Sequence, residues 1–145
     1  MLDEIKDKVH AAGDAAGDGS SLGSVLYVRG MYAAMLAAEA IAKAQDIHSV
    51  ADVTPAMVRD GMEALEITEA RMKELGMEGV GPEFSVTCQD HGGNGLGIVQ
   101  QWNADEGTWT PLTDYIAPDD AVTGPLIAED SAAFAAENNI TPGCV

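Results

Sequence analysis

The chain has 145 residues, about the usual size of one domain, and its 46% hydrophobic content is typical of a folded protein rather than a disordered one. Seven basic residues stand against 24 acidic ones, which gives a formal net charge of −17. Nucleic acid and anionic membrane surfaces would be repelled by this charge, so we expect neither as a partner.

The N-terminal part of the chain has helical patterns. Leu2, Ile5 and Val9 recur at helical spacing and predict a short amphipathic helix. The stretch GDAAGDGSSLG that follows is typical of a flexible linker, although its backbone amides are also available to an anion. Residues 23 to 45 are apolar on most sides and predict a long helix that a large surface must bury.

Two threonines mark the starts of further helices. Thr54 stands before Pro55, and a threonine hydroxyl can cap free backbone amides while proline occupies the first helical position. Thr68 provides a second cap, and the helix after it is expected to end at Gly76. The inward stripe of the first of these helices is formed by Val58, Met62 and Leu65.

After residue 80 the pattern changes from helix to strand. Phe84, Val86 and Cys88 alternate, and residues 98 to 102 and 109 to 115 form two more extended runs joined by the turn NADEG. A last helix covers TGPLIAEDSAAFAAENN. Its inward residues are predicted to be Leu126, Ile127 and Phe134.

These elements predict a fold of the α/β class in two parts, a helical part at residues 1–80 and a part with strands and a C-terminal helix at residues 81–145. Three strands are few to cover so apolar a helix as residues 23 to 45. We therefore expect this fold to use more sheet than the chain contains.

The segment SVTCQDHGGNGLGIVQQW brings together residue types that can carry chemistry. Cys88, Asp90 and His91 are possible zinc ligands, but zinc needs three or four donors, and the other cysteine and histidines have no paired spacing. Neighbouring side chains on an extended strand point to opposite faces, which argues against a thiol activated by histidine. The glycines precede neither a lysine nor a helix, so a phosphate loop is not expected. We predict no metal, no cofactor, no catalytic residue and no enzymatic activity.

The two cysteines, Cys88 and Cys144, have no neighbouring residues spaced to bind a metal with them, and they suggest an oxidising compartment. A bond between them would close a loop of about 56 residues and contribute about 4 kcal/mol in the chain-entropy model. Two buried, unpaired thiols are the alternative.

Several segments in order carry a resemblance: YVRGMYAAMLAAEAIAKAQ, VTPAMVRDGMEALEITEARMKELG, FSVTCQDHGGNG, VQQW and FAAENNITPGC. Together they resemble the C-terminal portion of the substrate-binding proteins of branched-chain amino acid ABC transporters, over nearly the whole chain. The resemblance implies the C-terminal part of a two-lobed, Rossmann-like periplasmic binding protein, with helices, three strands and a C-terminal helix in this part. Members of that family are more than twice as long and begin with a signal peptide.

The function implied by the resemblance is solute binding in an ABC uptake system for branched-chain amino acids or similar small amides. The partners would be a small polar solute and an ABC permease, the location would be periplasmic and secreted, and the mechanism would be hinge closure without a cofactor. The resemblance also implies a disulfide between Cys88 and Cys144 and turn or hydrogen-bonding roles for Gln89, Asp90 and His91.

Two residues are candidates for ligand binding. Arg29 can pair with a carboxylate, and Tyr27 can form a wall for an apolar side chain. The alternatives are that Tyr27 belongs to the core and that Arg29 is a charge on the helix surface.

Two expectations compete with this interpretation. The start MLDEIKDKVHAAG lacks the apolar stretch of a signal peptide, which indicates either a cytoplasmic protein or a missing N-terminal part. The alternative function is that of a stand-alone structural protein that self-associates through the surface that a missing lobe would cover.

Overall fold

The computed structural model describes residues 4–141. It divides into two compact units, Met1–Val86 and Thr87–Val145. The boundary that we predict from the change of pattern lies between residues 80 and 81 and stays a prediction.

The first unit is built on one long helix, α1 (Val25–His48). It begins after Ser24, whose side-chain hydroxyl accepts a hydrogen bond from the backbone N–H of Tyr27 at 3.3 Å. It ends at Ser49, which has a left-handed backbone with φ 53°. The long helix predicted at residues 23 to 45 is therefore confirmed. Ahead of it, Ile5–His10 forms a π-helical segment in which no residue is buried, and Leu2 lies outside the described residues.

Two shorter helices follow, α2 (Pro55–Glu63) and α3 (Glu69–Glu74). Both begin as predicted. Thr54 Oγ1 accepts a hydrogen bond from the N–H of Met57 at 3.4 Å, and Thr68 Oγ1 accepts one from the N–H of Arg71 at 3.2 Å. Each hydroxyl satisfies an amide that has no partner within its own helix.

Strands β1 (Glu66–Ile67) and β2 (Phe84–Ser85) pair antiparallel, with Ile67 opposite Phe84. Strand β1 is too short to show an alternating pattern, which is why the sequence does not predict it. The predicted alternation through Cys88 is wrong beyond Ser85, because Thr87 and Asp90 exchange backbone hydrogen bonds of 2.9 and 3.2 Å and turn the chain.

The core of the first unit lies between α1, α2, β1 and α3. The inward stripe predicted for α2 is confirmed, since Leu65 belongs to this core and Val58 and Met62 pack against it. The buried residues of the core are Ala40, Leu65, Ile67, Met72 and Met77.

Helix α2 lies close to α1 at Gly61, which is buried. A Cβ atom at this position would overlap the carbonyl oxygen of Ala40 and lie 2.8 Å from the backbone nitrogen of Ala44. The contact therefore depends on the absence of a side chain.

The second unit contains a hairpin and a helix. Strands β3 (Gln100–Asn103) and β4 (Thr108–Pro111) pair antiparallel with Trp102 opposite Trp109, and the two indole rings lie 5.3 Å apart. The side-chain oxygen of Asn103 accepts hydrogen bonds from the backbone N–H groups of Asp105 and Glu106 in the turn. This hairpin confirms the two predicted strands and the turn NADEG.

Helix α4 (Asp120–Glu137) confirms the predicted C-terminal helix, but not its buried face. Leu126, Ile127 and Phe134 are 58%, 63% and 60% exposed, so the prediction that they face inward is wrong. Among the described residues of this unit, the hydrophobic core includes only Ala135. The helix forms from its cap and its composition, while no described part of the chain covers its large apolar side chains.

The sheets in residues 4–141 are two antiparallel pairs of strands. A Rossmann-like sheet, to which these strands would contribute, stays a prediction.

Candidate functional site

An open hollow of about 550 Å³ lies along the N-terminal half of α1, and we call it the α1 hollow. Its lining is largely apolar, and Arg29 is the one charged residue among the described residues that line it. The lining residues are Leu26, Val28, Arg29, Gly30, Tyr32, Ala33, Leu36 and Val80.

Arg29 is exposed at this hollow and forms no ion pair with any residue in the described range 4–141. A guanidinium beside apolar walls can bind a carboxylate while the walls contact an apolar group of the same molecule. The hollow therefore has the chemistry to receive a small amphipathic anion.

The two predicted ligand-binding residues do not lie together in this hollow. Tyr27 is half-buried in the first turn of α1 and is not among the lining residues, because residues two apart on a helix point in different directions. The tyrosine of the hollow is Tyr32, three residues after Arg29 and on the same helix face. Gly81 lies beside its ring, where a Cβ would be 3.7 Å from ring atoms. The three-residue spacing from Arg29 is the signal that would have identified Tyr32.

A charged cluster joins α1 to α3. Arg71 donates two hydrogen bonds to Glu39, from Nε at 2.9 Å and from Nη2 at 2.8 Å, and a third from Nη1 to Glu74 at 2.8 Å. The side chain of Glu39 is only 17% exposed. The hydrogen bonds from Arg71 hold the pKa of Glu39 below its usual value against the opposing effect of burial. The bonds to Glu39, and then to Glu74, raise the pKa of Arg71.

This cluster borders a second hollow of about 440 Å³, which also contains Lys43, Asp46 and Glu66. The guanidinium of Arg71 already donates hydrogen bonds to the carboxylates of Glu39 and Glu74. The cluster therefore holds α3 against α1.

A second cluster joins the end of α1 to α2. Asp60 Oδ2 lies 3.2 Å from Nε2 of His48, and Asp60 Oδ1 accepts a hydrogen bond from Arg59 at 3.0 Å. The pKa of the Asp60 carboxyl is lowered mainly by the hydrogen bond from Arg59, with a smaller contribution from His48.

The turn around Cys88 is held by its polar neighbours. Asp90 Oδ1 accepts a hydrogen bond from the N–H of Gly92 at 2.8 Å, and the hydroxyl of Thr87 accepts one from the N–H of Asp90 at 3.1 Å. Asp90 therefore has the predicted turn role. Cys144 lies outside the described residues, so the disulfide between Cys88 and Cys144 stays a prediction. Within residues 4–141, no three His, Cys, Asp or Glu side chains are grouped to hold a metal ion.

Comparison with known proteins gives one informative similarity. No protein-family model matches the chain, and no curated protein matches it. A crystal structure described as an ABC transporter permease from the Pseudomonas fluorescens group matches with a TM-score of 0.82 and 36% sequence identity. The match covers 98% of this chain and 34% of that one, so this chain spans about a third of the length of the similar protein.

This similarity supports the coarse prediction of a link to an ABC transporter and corrects two finer ones. The interpretation as the C-terminal portion of a periplasmic substrate-binding protein is wrong, because the similar protein is described as a permease. The prediction of a periplasmic, secreted location is wrong for the same reason, since the similar protein is described as a permease. In addition, α1 is long and apolar enough to cross a membrane by length and composition.

Proposed function

We propose that this chain forms part of a component of an ABC transporter that takes up a small solute, and that α1 is covered there by further protein. The similarity to the permease structure over 98% of the chain carries this proposal. The exposed apolar residues at the start of α1 support it, since Val25 and Leu26 are 73% and 75% exposed.

Protein is a better cover for α1 than lipid. A membrane span needs about 20 helical residues, and any such window of the 24-residue α1 contains Arg29, Glu39 and Lys43. Glu39 is bound to Arg71, so a spanning α1 would also carry the polar helix α3 towards the lipid. Packing against protein requires no such burial of charge.

The α1 hollow is the proposed place of contact with the solute. Arg29 would pair with a carboxylate of an amino acid or a similar small molecule, while Tyr32 and Leu36 would contact its apolar part. This assignment retains Arg29 from the sequence and replaces Tyr27 with Tyr32.

Uptake measurements test the proposal. Cells that lack the gene are expected to take up at least one radiolabelled amino acid from a panel of the common ones more slowly, and the intact gene should restore uptake. Arg29→Ala should restore less than Lys73→Ala, a matched control because Lys73 is an exposed cation outside the hollow. Normal uptake of the whole panel without the gene would contradict the transporter role. Equal restoration by both variants would contradict only the role of Arg29.

Self-association as a stand-alone protein is the second candidate function. The exposed apolar residues of α1, the hairpin and α4 favour it. Light scattering of the purified chain at physiological salt separates the candidates, because this function requires a defined oligomer under those conditions.

A further inference from the structure

Positive charge at the α1 hollow is not balanced by acidic residues in the described lining. Arg29 is the one charged residue among the described residues there. The N-terminal half of α1 contains no aspartate or glutamate, and the first acidic residue of the helix, Glu39, is already bound by Arg71. The start of a helix also carries the positive end of its backbone dipole, which adds to the charge of Arg29. The hollow therefore favours an anionic group over a cationic one.

The segment around Val80 does not supply a carboxylate to the hollow either. Val80 lines the hollow, but its acidic neighbours in sequence, Glu78 and Glu83, are not among the lining residues. Glu83 instead accepts a hydrogen bond from the backbone N–H of Glu69 at 3.0 Å. Within residues 4–141, the lining therefore offers no carboxylate to an ammonium group that enters this hollow.

The charge of the whole chain acts in the opposite direction, but only over a long range. A net charge of −17 opposes the approach of an anion and has little effect on a neutral zwitterion. At an ionic strength of about 0.15 M, interactions between exposed charges more than about 8 Å apart are largely screened. The charges that line the hollow therefore decide which ligand it prefers at that ionic strength.

We infer that the α1 hollow prefers apolar monocarboxylates without an ammonium group to amino acids of the same shape. An amino acid brings a carboxylate that Arg29 can bind and an ammonium group for which the described lining has no partner. Amino acids still bind through the carboxylate, but more weakly than a hydroxy acid in which a neutral hydroxyl replaces the ammonium. This inference rests on the proposed contact of the solute with the hollow and names the class of solute that fits it best.

Three ligands with the same branched side chain test this preference on the complete chain. Leucate, the hydroxy acid analogue of leucine, carries only the carboxylate, leucine carries both charged groups, and isoamylamine carries only the ammonium. Ligand-detected NMR titrations at about 0.15 M salt should give a dissociation constant for leucate about fivefold below that for leucine, and no binding of isoamylamine. Equal affinity for leucate and leucine, or tighter binding of leucine, would overturn the inference.

Two variants at one position locate the preference in the hollow. Leu26 lines the hollow and is 75% exposed, so a polar replacement there leaves the core intact. Leu26→Asp adds the missing carboxylate and should remove or reverse the preference for leucate, whereas Leu26→Asn has nearly the same shape without the charge and should keep it. Circular dichroism checks that each variant keeps its helix content. The same preference in both variants would overturn the assignment to the hollow.

Removal of the guanidinium separates this inference from the transporter role. Arg29→Gln should weaken leucate binding about tenfold, while Lys73→Gln, at an exposed position outside the hollow, should leave it unchanged. Equal effects of the two variants, or binding of none of the three ligands, would overturn the inference. The uptake measurements decide the transporter role independently, because slower uptake without the gene would stand even if the chain bound leucate and leucine equally.

Discussion

Gly61 sets the distance between the two helices that frame the core. Its backbone touches α1 where Ala40 and Ala44 are both buried, so small residues on both sides allow the close crossing. The sequence marks this glycine only as an unfavourable residue within a helix. The reason for a glycine here, its close packing against α1, is visible only when the position of α1 is known.

Gly61→Ala should therefore destabilise the protein by about 1–3 kcal/mol, because the added methyl group overlaps the backbone of α1. Urea unfolding followed by circular dichroism measures the change. Gly30→Ala is the matched control, since a Cβ there meets no atom within 4 Å and alanine is the better helix former. A control that is destabilised as much as Gly61→Ala would contradict this explanation.

Glu39 contributes a stability that depends on pH. Its folded-state pKa is lowered by Arg71, so its contribution is complete above the unfolded-state pKa, about 4.3, and is lost as the pH falls through the folded-state pKa. Glu39→Gln should lower the free energy of unfolding at pH 7 by about 1–2 kcal/mol, and the difference from the unmodified protein should shrink in acid.

Urea titrations at several pH values test this dependence. Glu74→Gln is the control, because the side chain of Glu74 is mostly exposed and an exposed ion pair contributes about 0.5 kcal/mol or less. A constant difference between Glu39→Gln and the unmodified protein down to pH 2 would show that ionisation of Glu39 is not responsible.

At the scale of the elements, local chemistry determines what the sequence can predict. The starts of α2 and α3 follow from Thr54 and Thr68, whose hydroxyls cap the adjacent amides. Strand β1 depends on pairing with β2, some 17 residues further along the chain, and leaves almost no local signal. Ligand binding by Tyr27 stays a prediction. The α1 hollow itself also involves Val80, which is distant in sequence, so its full lining has no local signal.

The two faces of α1 should respond differently to an added charge. Leu36 is half-buried and packs against the core, so Leu36→Asp should lower the free energy of unfolding by about 2 kcal/mol. Ala34→Asp adds the same charge at an exposed position of the same helix and should cost less than about 1 kcal/mol. Thermal unfolding of both variants measures the contrast. Similar losses would indicate that α1 is covered on both faces.

At the scale of the whole molecule, apolar exposure and net charge oppose each other. The described residues leave large apolar side chains uncovered on α1, the hairpin and α4, which favours association. The net charge of −17 keeps copies apart. The sequence predicts the negative charge and an apolar α1 that needs a covering surface. It cannot identify that surface, because none of the described residues forms it.

Because exposed apolar side chains favour association and the net charge opposes it, we predict that salt controls association of the isolated chain. At low ionic strength repulsion acts over about 30 Å and the chain should be monomeric, whereas at about 1 M salt this range falls to about 3 Å and association should increase. Light scattering across this range gives the average mass. Val25→Ser with Leu26→Ser removes exposed apolar area without changing the charge, so this variant should associate less at high salt. A mass that is independent of salt, or an unchanged response of the variant, would show that the exposed apolar end of α1 does not drive association.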